Sequence, residues 1–310
     1  AVFGLPPEPP RTEGGLICTR CANLCRLGIG ERGYCGLREN QGGEIRGGDP
    51  DSGRLSWYFD PLPTNCVADW VCAGGSGSKQ GQTNLAVFYR ACSFNCLFCQ
   101  NWHFKEEAHQ GPAASAVELA GRVSPETACI CFFGGDPTPQ VAHSLEAARL
   151  ARKARGRGIL RICWETNGSV HPRFVKEMVA LALDSGGCLK FDLKADSPSL
   201  HWALCGAEGR RTRANFRLAA RYLDRRPDPP LLIASTLLVP GYVGAKEVEG
   251  IAAFLAGLNP DIPYALLAFH PCHVLDDLPR TSRQEAEEAL EAALAQGLTR
   301  VRLGNVHLLH

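Results

Sequence analysis

From residue 84 onward the chain keeps two rhythms. Short, almost wholly apolar runs at 84–89, 128–133, 160–165, 188–193, 231–239 and 264–269 predict strands buried on both faces. Between them, residues 114–123, 139–155, 172–183, 211–223 and 245–258 carry the spacing of amphipathic helices, and 282–296 repeats it after the last strand. A short run at 300–303 offers a seventh strand. Successive strand–helix units predict an α/β fold whose parallel sheet is covered by helices. Their even length fits a partial (β/α)6-type parallel barrel better than an open sheet covered on both faces.

The chain ahead of residue 84 has neither rhythm. Residues 1–40 are rich in Gly and Pro and form a small cysteine-rich segment; residues 41–82 read as a connecting or cover segment; residues 83–310 form the barrel domain. The cover segment holds an island of aromatic and cysteine residues, from Trp57 to Cys66 and again from Asp69 to Cys72. Two readings stay open for it: a satellite apolar cluster under a long loop, or a rim on which Asn65, Cys66 and Cys72 line the way into a functional pocket.

A length of 310 residues, with 45% hydrophobic and 21% charged residues, is that of a soluble globular protein with a sizeable core. A net charge of +1 gives no bulk attraction to nucleic acid or anionic membrane, so neither is expected as a partner. No run is long enough to span a bilayer, and no charged stretch followed by an apolar one suggests a secretory leader. Fifteen cysteines in such a chain point to metal ligation in a reducing, cytoplasmic compartment rather than to disulfides. Cys18, Cys21, Cys25 and Cys35 fall where apolar residues are too few to fold the segment unaided, so metal binding would replace burial there. Structural zinc, an auxiliary iron–sulfur cluster and unligated thiols all remain open for these four.

Cys92, Cys96 and Cys99 form a CxxxCxxC loop directly behind the first apolar run. Three thiolates can hold three corners of a [4Fe–4S] cluster and leave one iron open. With Phe98 and Trp102 beside it, the loop resembles the signature of radical S-adenosylmethionine (SAM) enzymes, in which SAM occupies the open iron. The resemblance continues at the strand ends from residue 84 to the C-terminus. Gly134-Gly135-Asp136 is similar to the family's GGE-type motif, whose backbone meets the SAM amino group. Glu165-Thr166-Asn167-Gly168 and Asp192-Leu193-Lys194 look like the DTNG and DLK segments of the pyruvate formate-lyase activating enzyme group. Val239-Pro240-Gly241 is similar to its VPG turn, and His270 to its final histidine motif. Glu165 stands where the group has aspartate, which moves the carboxylate by one methylene and leaves a cation site there in doubt. Asp192 with Lys194 also reads as an ordinary ion pair, and His270 as a structural histidine.

The resemblance implies reductive cleavage of SAM to methionine and a 5′-deoxyadenosyl radical, which takes hydrogen from an unidentified substrate. Phe94, Phe98 and Trp102 would wall the site. The substrate is either the glycine of a glycyl-radical protein, as for an activase, or a small molecule or peptide. From another class, an iron–sulfur electron-transfer or metal-binding scaffold without SAM chemistry stays in view. Arg213, Arg217, Arg221 and Arg225 recur every four residues, either as a solvated face or as a dock for an acidic electron donor of the flavodoxin or ferredoxin type.

Overall fold

The computed structural model describes residues 6–64, 66–76, 80–106 and 108–310. Two small antiparallel pairs come first, β1 (Leu16–Ile17) with β2 (Arg26–Leu27) and β3 (Glu39–Gln41) with β4 (Glu44–Arg46). The next elements are β5 (Gly53–Pro61), α1 (Ala73–Ser76), β6 (Thr83–Tyr89), α2 (His103–Glu106), β7 (Ala113–Ala114) and α3 (Ala116–Ala120). Then strands and helices alternate: β8 (Thr127–Gly134), α4 (Val141–Arg155), β9 (Arg161–Thr166), α5 (Pro172–Ser185) and β10 (Leu189–Asp192). Two helices, α6 (Pro198–Cys205) and α7 (Arg210–Ala220), precede β11 (Leu232–Leu238), α8 (Ala245–Ala256), β12 (Tyr264–Ala268), α9 (Arg283–Ala295) and β13 (Val301–Gly304).

Strands β6 and β8 to β13 run parallel in one sheet in chain order, with β5 antiparallel on β6 and β7 antiparallel on β5. The order never reverses, so right-handed crossovers put the helices α4, α5, α7, α8 and α9 on the same side. That side is the apolar core: Val87, Phe132, Trp164, Phe191 and Leu232 pack against Leu145 of α4, Val179 of α5, Phe216 of α7 and Leu255 of α8. Each such side chain, fully buried, stabilises the fold by ~1.5–3 kcal/mol. The alternate residues face the other way, because side chains two apart in a strand share a face. That inner face carries Cys131, Glu165, Lys190 and Asp192 beside aliphatic residues such as Ile233, Leu237 and Leu267. The strands were expected to be apolar on both faces; the helix-side face is, whereas the inner face mixes apolar residues with charged groups and thiols.

Two expectations need correction. Residues 53–61, placed by sequence in the cover segment, extend the main sheet as β5, so the segment boundary at residue 82 does not separate sheet from cover. Aromatic residues fall on both faces of β5, at Trp57, Tyr58 and Phe59, and blur the period of two that marks a half-buried strand. What remains of the cover is a strap from Leu62 to Ser76. Its Ala68 and Val71 pack on Cys188 and Ile233 of the inner face, and Asp69 Oδ1 accepts from Arg302 Nη1 of β13 at 2.8 Å. The strap therefore crosses the inner face from the end of β5 to the edge strand β13. The second correction concerns the arginine row. The helix ends at Ala220, so Arg221 and Arg225 leave its face, while Arg213 pairs with Asp196 at 2.5 Å and, like Arg217, lies over the Phe254 ring.

His143 of α4 ties the helix layer to the sheet edge. Its Nε2 donates to Ala114 O at 2.9 Å, which leaves Nδ1 to accept from the Tyr89 hydroxyl at 2.7 Å. Burial holds its pKa below the ordinary value. The native state thus binds fewer protons than the unfolded chain, and stability falls as pH drops below about 6.5, the unfolded value. Denaturant midpoints measured from pH 7.5 to 5.5 should decline in the wild type, and the decline should be shallower in His143→Gln. Among the described residues no helix is long and apolar enough to cross a membrane.

Candidate functional site

The loop after β6 folds back over the C-terminal ends of the strands. Asn95 N donates to Cys205 O at 2.8 Å and Leu97 N to Leu204 O at 2.9 Å, so the end of α6 serves as the floor for the cysteine loop. Cys92, Cys96 and Cys99 line one pocket of about 170 Å³ together with Gly134, Gly135, Asp136, Glu165, Asn167, Asp192 and Lys194. The ends of β8, β9 and β10 thus converge on three thiols. Phe94 and Phe98 form part of the wall, and Leu237 and Leu267 close its far side.

The pocket is braced by hydrogen bonds that cross from strand to strand. Asp136, 3% exposed, accepts from Thr138 N at 2.6 Å, from Asn167 N at 2.6 Å and from Thr166 Oγ1 at 3.1 Å. Burial raises its pKa despite these donors. Asn167 Nδ2 reaches back to Ser93 Oγ at 2.9 Å and to Cys92 Sγ at 3.6 Å, which fastens the cysteine loop to the end of β9. Asp192 takes Lys194 Nζ at 2.8 Å on one oxygen and Ser235 Oγ at 2.6 Å on the other. Glu165 Oε2 lies 3.1 Å from Lys190 Nζ on the next strand.

Charge in the pocket is arranged around the thiols. Cys96 is drawn down to about 7, first because the Cys205 thiol donates to it, then because Lys194 and Lys105 face it, against the cost of burial. Burial, reinforced by the Asp136 carboxylate, pushes Cys92 well above the usual thiol value, and burial also raises Cys99. Lys194 is held charged by Asp192 and Cys96 although burial opposes it.

The sequence model described as the Radical SAM superfamily matches residues 86–255, which run from β6 into α8. The chain belongs to the Radical SAM superfamily. It is 24% identical to the uncharacterized protein MJ0808 of Methanocaldococcus jannaschii, over 95% of this chain and 82% of that one. Among solved structures it is similar to SuiB of Streptococcus suis bound to the precursor peptide SuiA, with a TM-score of 0.54 and 12% identity over 70% of this chain; it spans about half of SuiB, 47%. It is also similar to a domain of the pyruvate-formate lyase-activating enzyme of Bacteroides vulgatus, with a TM-score of 0.43 and 21% identity, over 56% of this chain and 98% of that domain.

A radical SAM site needs three thiolates, an apolar wall and polar groups for an amino acid moiety, and this pocket offers all of these. Among the described residues no three His, Cys, Asp or Glu side chains are gathered at the spacing of one ion; a cluster held at its corners does not require it. Gly134 has φ +106°, a conformation open to glycine, and a Cβ on Gly135 would stand 2.4 Å from Ala91 O. Gly135→Ala should therefore displace the start of the cysteine loop and lower cluster content several-fold, read as iron per chain after anaerobic reconstitution.

Not every expected residue reaches this pocket. His270 is exposed, and its Nδ1 donates to Pro271 O at 2.8 Å, away from the lining. Thr166 turns to Asp136 and braces the pocket from behind. Trp102 stacks on His103 and His273 rather than lining the wall. Cys18, Cys21 and Cys25 are buried, and burial together with the neighbouring Cys35 and its fellows raises Cys21, as it raises Cys25 to about 12. The four thiols thus lie within reach of one another's charge. Their segment docks on the site itself: Asn23 Nδ2 donates to Ser93 O at 2.7 Å, and Ala22 N to Ser169 O at 2.9 Å. Cys66 and Cys72 line a second cavity, described below, and Asn65 lies outside the described residues. Sequence reasoning missed Lys105, Cys205, Ser93 and Asn101, whose Nδ2 donates to Gly134 O at 3.1 Å. Lys105 and Asn101 follow the cysteine loop by a few residues, which is the one signal that pointed to them.

Proposed function

We propose that this protein is a radical SAM enzyme that binds a [4Fe–4S] cluster on Cys92, Cys96 and Cys99 and SAM on the adjoining strand ends of a partial barrel. The observation that carries this reading is the single pocket in which the three thiols, Gly134, Gly135, Asp192 and Lys194 meet. When bound, the cluster supplies the electron that splits SAM into methionine and a 5′-deoxyadenosyl radical. The chain's own residues bind, orient and shield. Lys194 offers a fixed positive charge to a carboxylate, and its own partner Asp192 keeps it on the pocket wall. The backbone at Gly134 and Gly135 can be approached closely by an ammonium group, since no Cβ intervenes. Phe94, Phe98, Leu237 and Leu267 exclude water, which strengthens the fixed charges within.

For the substrate we favour a small molecule or flexible peptide over the glycine loop of a large partner. The strap from Leu62 to Ser76 crosses the inner face and ties to β13 through Asp69 and Arg302, which narrows the approach along that face. SuiB, bound to a precursor peptide, fits that class. The four N-terminal thiols are read as a second metal centre, where the same lack of three ligands gathered for one ion among the described residues favours an iron–sulfur cluster over zinc, in a cytoplasmic enzyme reduced by a flavodoxin- or ferredoxin-type donor. The test is anaerobic reconstitution followed by dithionite and SAM: 5′-deoxyadenosine should form. An intact cluster with no 5′-deoxyadenosine would favour a scaffold without SAM chemistry.

A further inference from the structure

The inner face of the sheet carries a second set of thiols that the SAM pocket does not use. Cys129 and Cys131 of β8, Cys163 of β9 and Cys188 at the start of β10 share that face, and Cys66 and Cys72 of the strap close over them. The six line one cavity of about 250 Å³, which meets the SAM pocket at Glu165. A water molecule takes up ~30 Å³ of liquid, so this space far exceeds a single ion. The sulfurs are spread around it. Cys163 and Cys188 lie 3.8 Å apart, while Cys66 and Cys131 stand on either side of Lys190 Nζ at 3.0 Å each.

Lys190 is what makes the cavity informative. It is 1% exposed, and among the described residues only Glu165, at 3.1 Å, stands beside it as a conventional partner for an ammonium. The other two are sulfurs, and a neutral thiol is a weak acceptor that compensates poorly for the several kcal/mol lost when an ammonium leaves water. The arrangement is sound if those sulfurs carry negative charge, as metal-bound thiolates do. Buried cysteines acting as small apolar fillers would account for the thiols, but neither for a lysine among them nor for a cavity of this size. A compact tetrahedral ion would draw its ligands to one point, and no three thiols here are so gathered. A cluster, held at its corners, suits the spread.

We propose that Cys66, Cys131, Cys163 and Cys188 hold an iron–sulfur cluster inside the sheet, next to the SAM pocket, with Lys190 as its countercation. Cys129 and Cys72 flank it, Cys129 being engaged with Asn84 Oδ1 at 3.3 Å. Binding would release the thiol protons, and the buried ammonium would offset part of the net negative charge of the centre.

The test uses the full chain, purified anaerobically, with iron and acid-labile sulfide measured per chain. The Cys131→Ala/Cys163→Ala variant should lose one cluster's worth of both relative to wild type. Introduced into a Cys92→Ala/Cys96→Ala/Cys99→Ala background, the same pair should remove a cluster that this background still holds. Equal iron and sulfide with and without the pair, in protein whose circular dichroism is unchanged, would overturn the proposal, as would loss of zinc with no change in sulfide. If the strand variant does not fold, Cys66→Ala on the strap carries the test: it should alter the electron paramagnetic resonance signal of the dithionite-reduced triple background, and an unaltered signal would overturn the proposal. Since the readouts are iron, sulfide and a spectrum, absence of SAM cleavage in the wild type would count against the proposed function and leave this centre standing.

Discussion

Cys96→Ala is expected to abolish 5′-deoxyadenosine formation while metal on Cys18, Cys21, Cys25 and Cys35 remains. Cys96 is the middle cysteine of the loop, 8% exposed, seated on Cys205 and facing Lys194 and Lys105. Alanine there would remove one corner of the proposed cluster and leave two ammonium groups without the thiolate they would face. The N-terminal thiols lie on a different segment with a small core of their own, built from Cys18, Cys25, Leu27 and Tyr34. Metal analysis of the reconstituted variant, beside a SAM cleavage assay, checks both halves of the expectation. Loss of the N-terminal metal together with the cluster would show that the two sites form one unit, a coupling for which Asn23 and Ser93 provide the contact.

Asp136→Ala should have the largest effect on stability among changes in the site. The carboxylate satisfies two backbone amides and one hydroxyl in a place water does not reach. Each donor left buried and unpaired costs about 1–3 kcal/mol, so the loss should be about 3 kcal/mol or more. Against a typical total of ~5–15 kcal/mol this is a large share. Asp136→Asn keeps the shape but turns an amide N–H toward a backbone donor, and should cost about half as much. Urea midpoints of the three proteins test the order. An Asp136→Ala protein as stable as the wild type would mean that the carboxylate acts on bound SAM alone and not as the brace between β8 and β9.

Much of this architecture was legible because apolar periodicity and strand-end chemistry are local signals. The seven parallel strands stand within two residues of the apolar runs, and α9 starts at the Ser282 capping box with Glu285, a pattern written in adjacent residues. The pocket residues at Gly134, Glu165, Asp192 and Lys194 follow from their position at the ends of those strands. The failures have a common cause. β5 gains its place by pairing with β6, and α6 carries too few periodic positions to stand out, although Ser197 followed by Pro198 at its first turn is a helix-start signal that was there to be read. His270 ends the right strand, yet its ring turns to Pro271. The arginine row assumed a helix that continues past Ala220, where the helix in fact stops.

The sequence alone determined the strand–helix alternation, the cluster loop and which strand ends carry polar groups, because each depends on residues a few positions apart. Only the tertiary structure decided which face those residues share. Cys66, Cys131, Cys163 and Cys188 come from four separate segments and look unrelated along the chain. They become neighbours because parallel strands in sequential order keep the crossover helices on one side and leave the other face to the strap, Lys190 and the thiols.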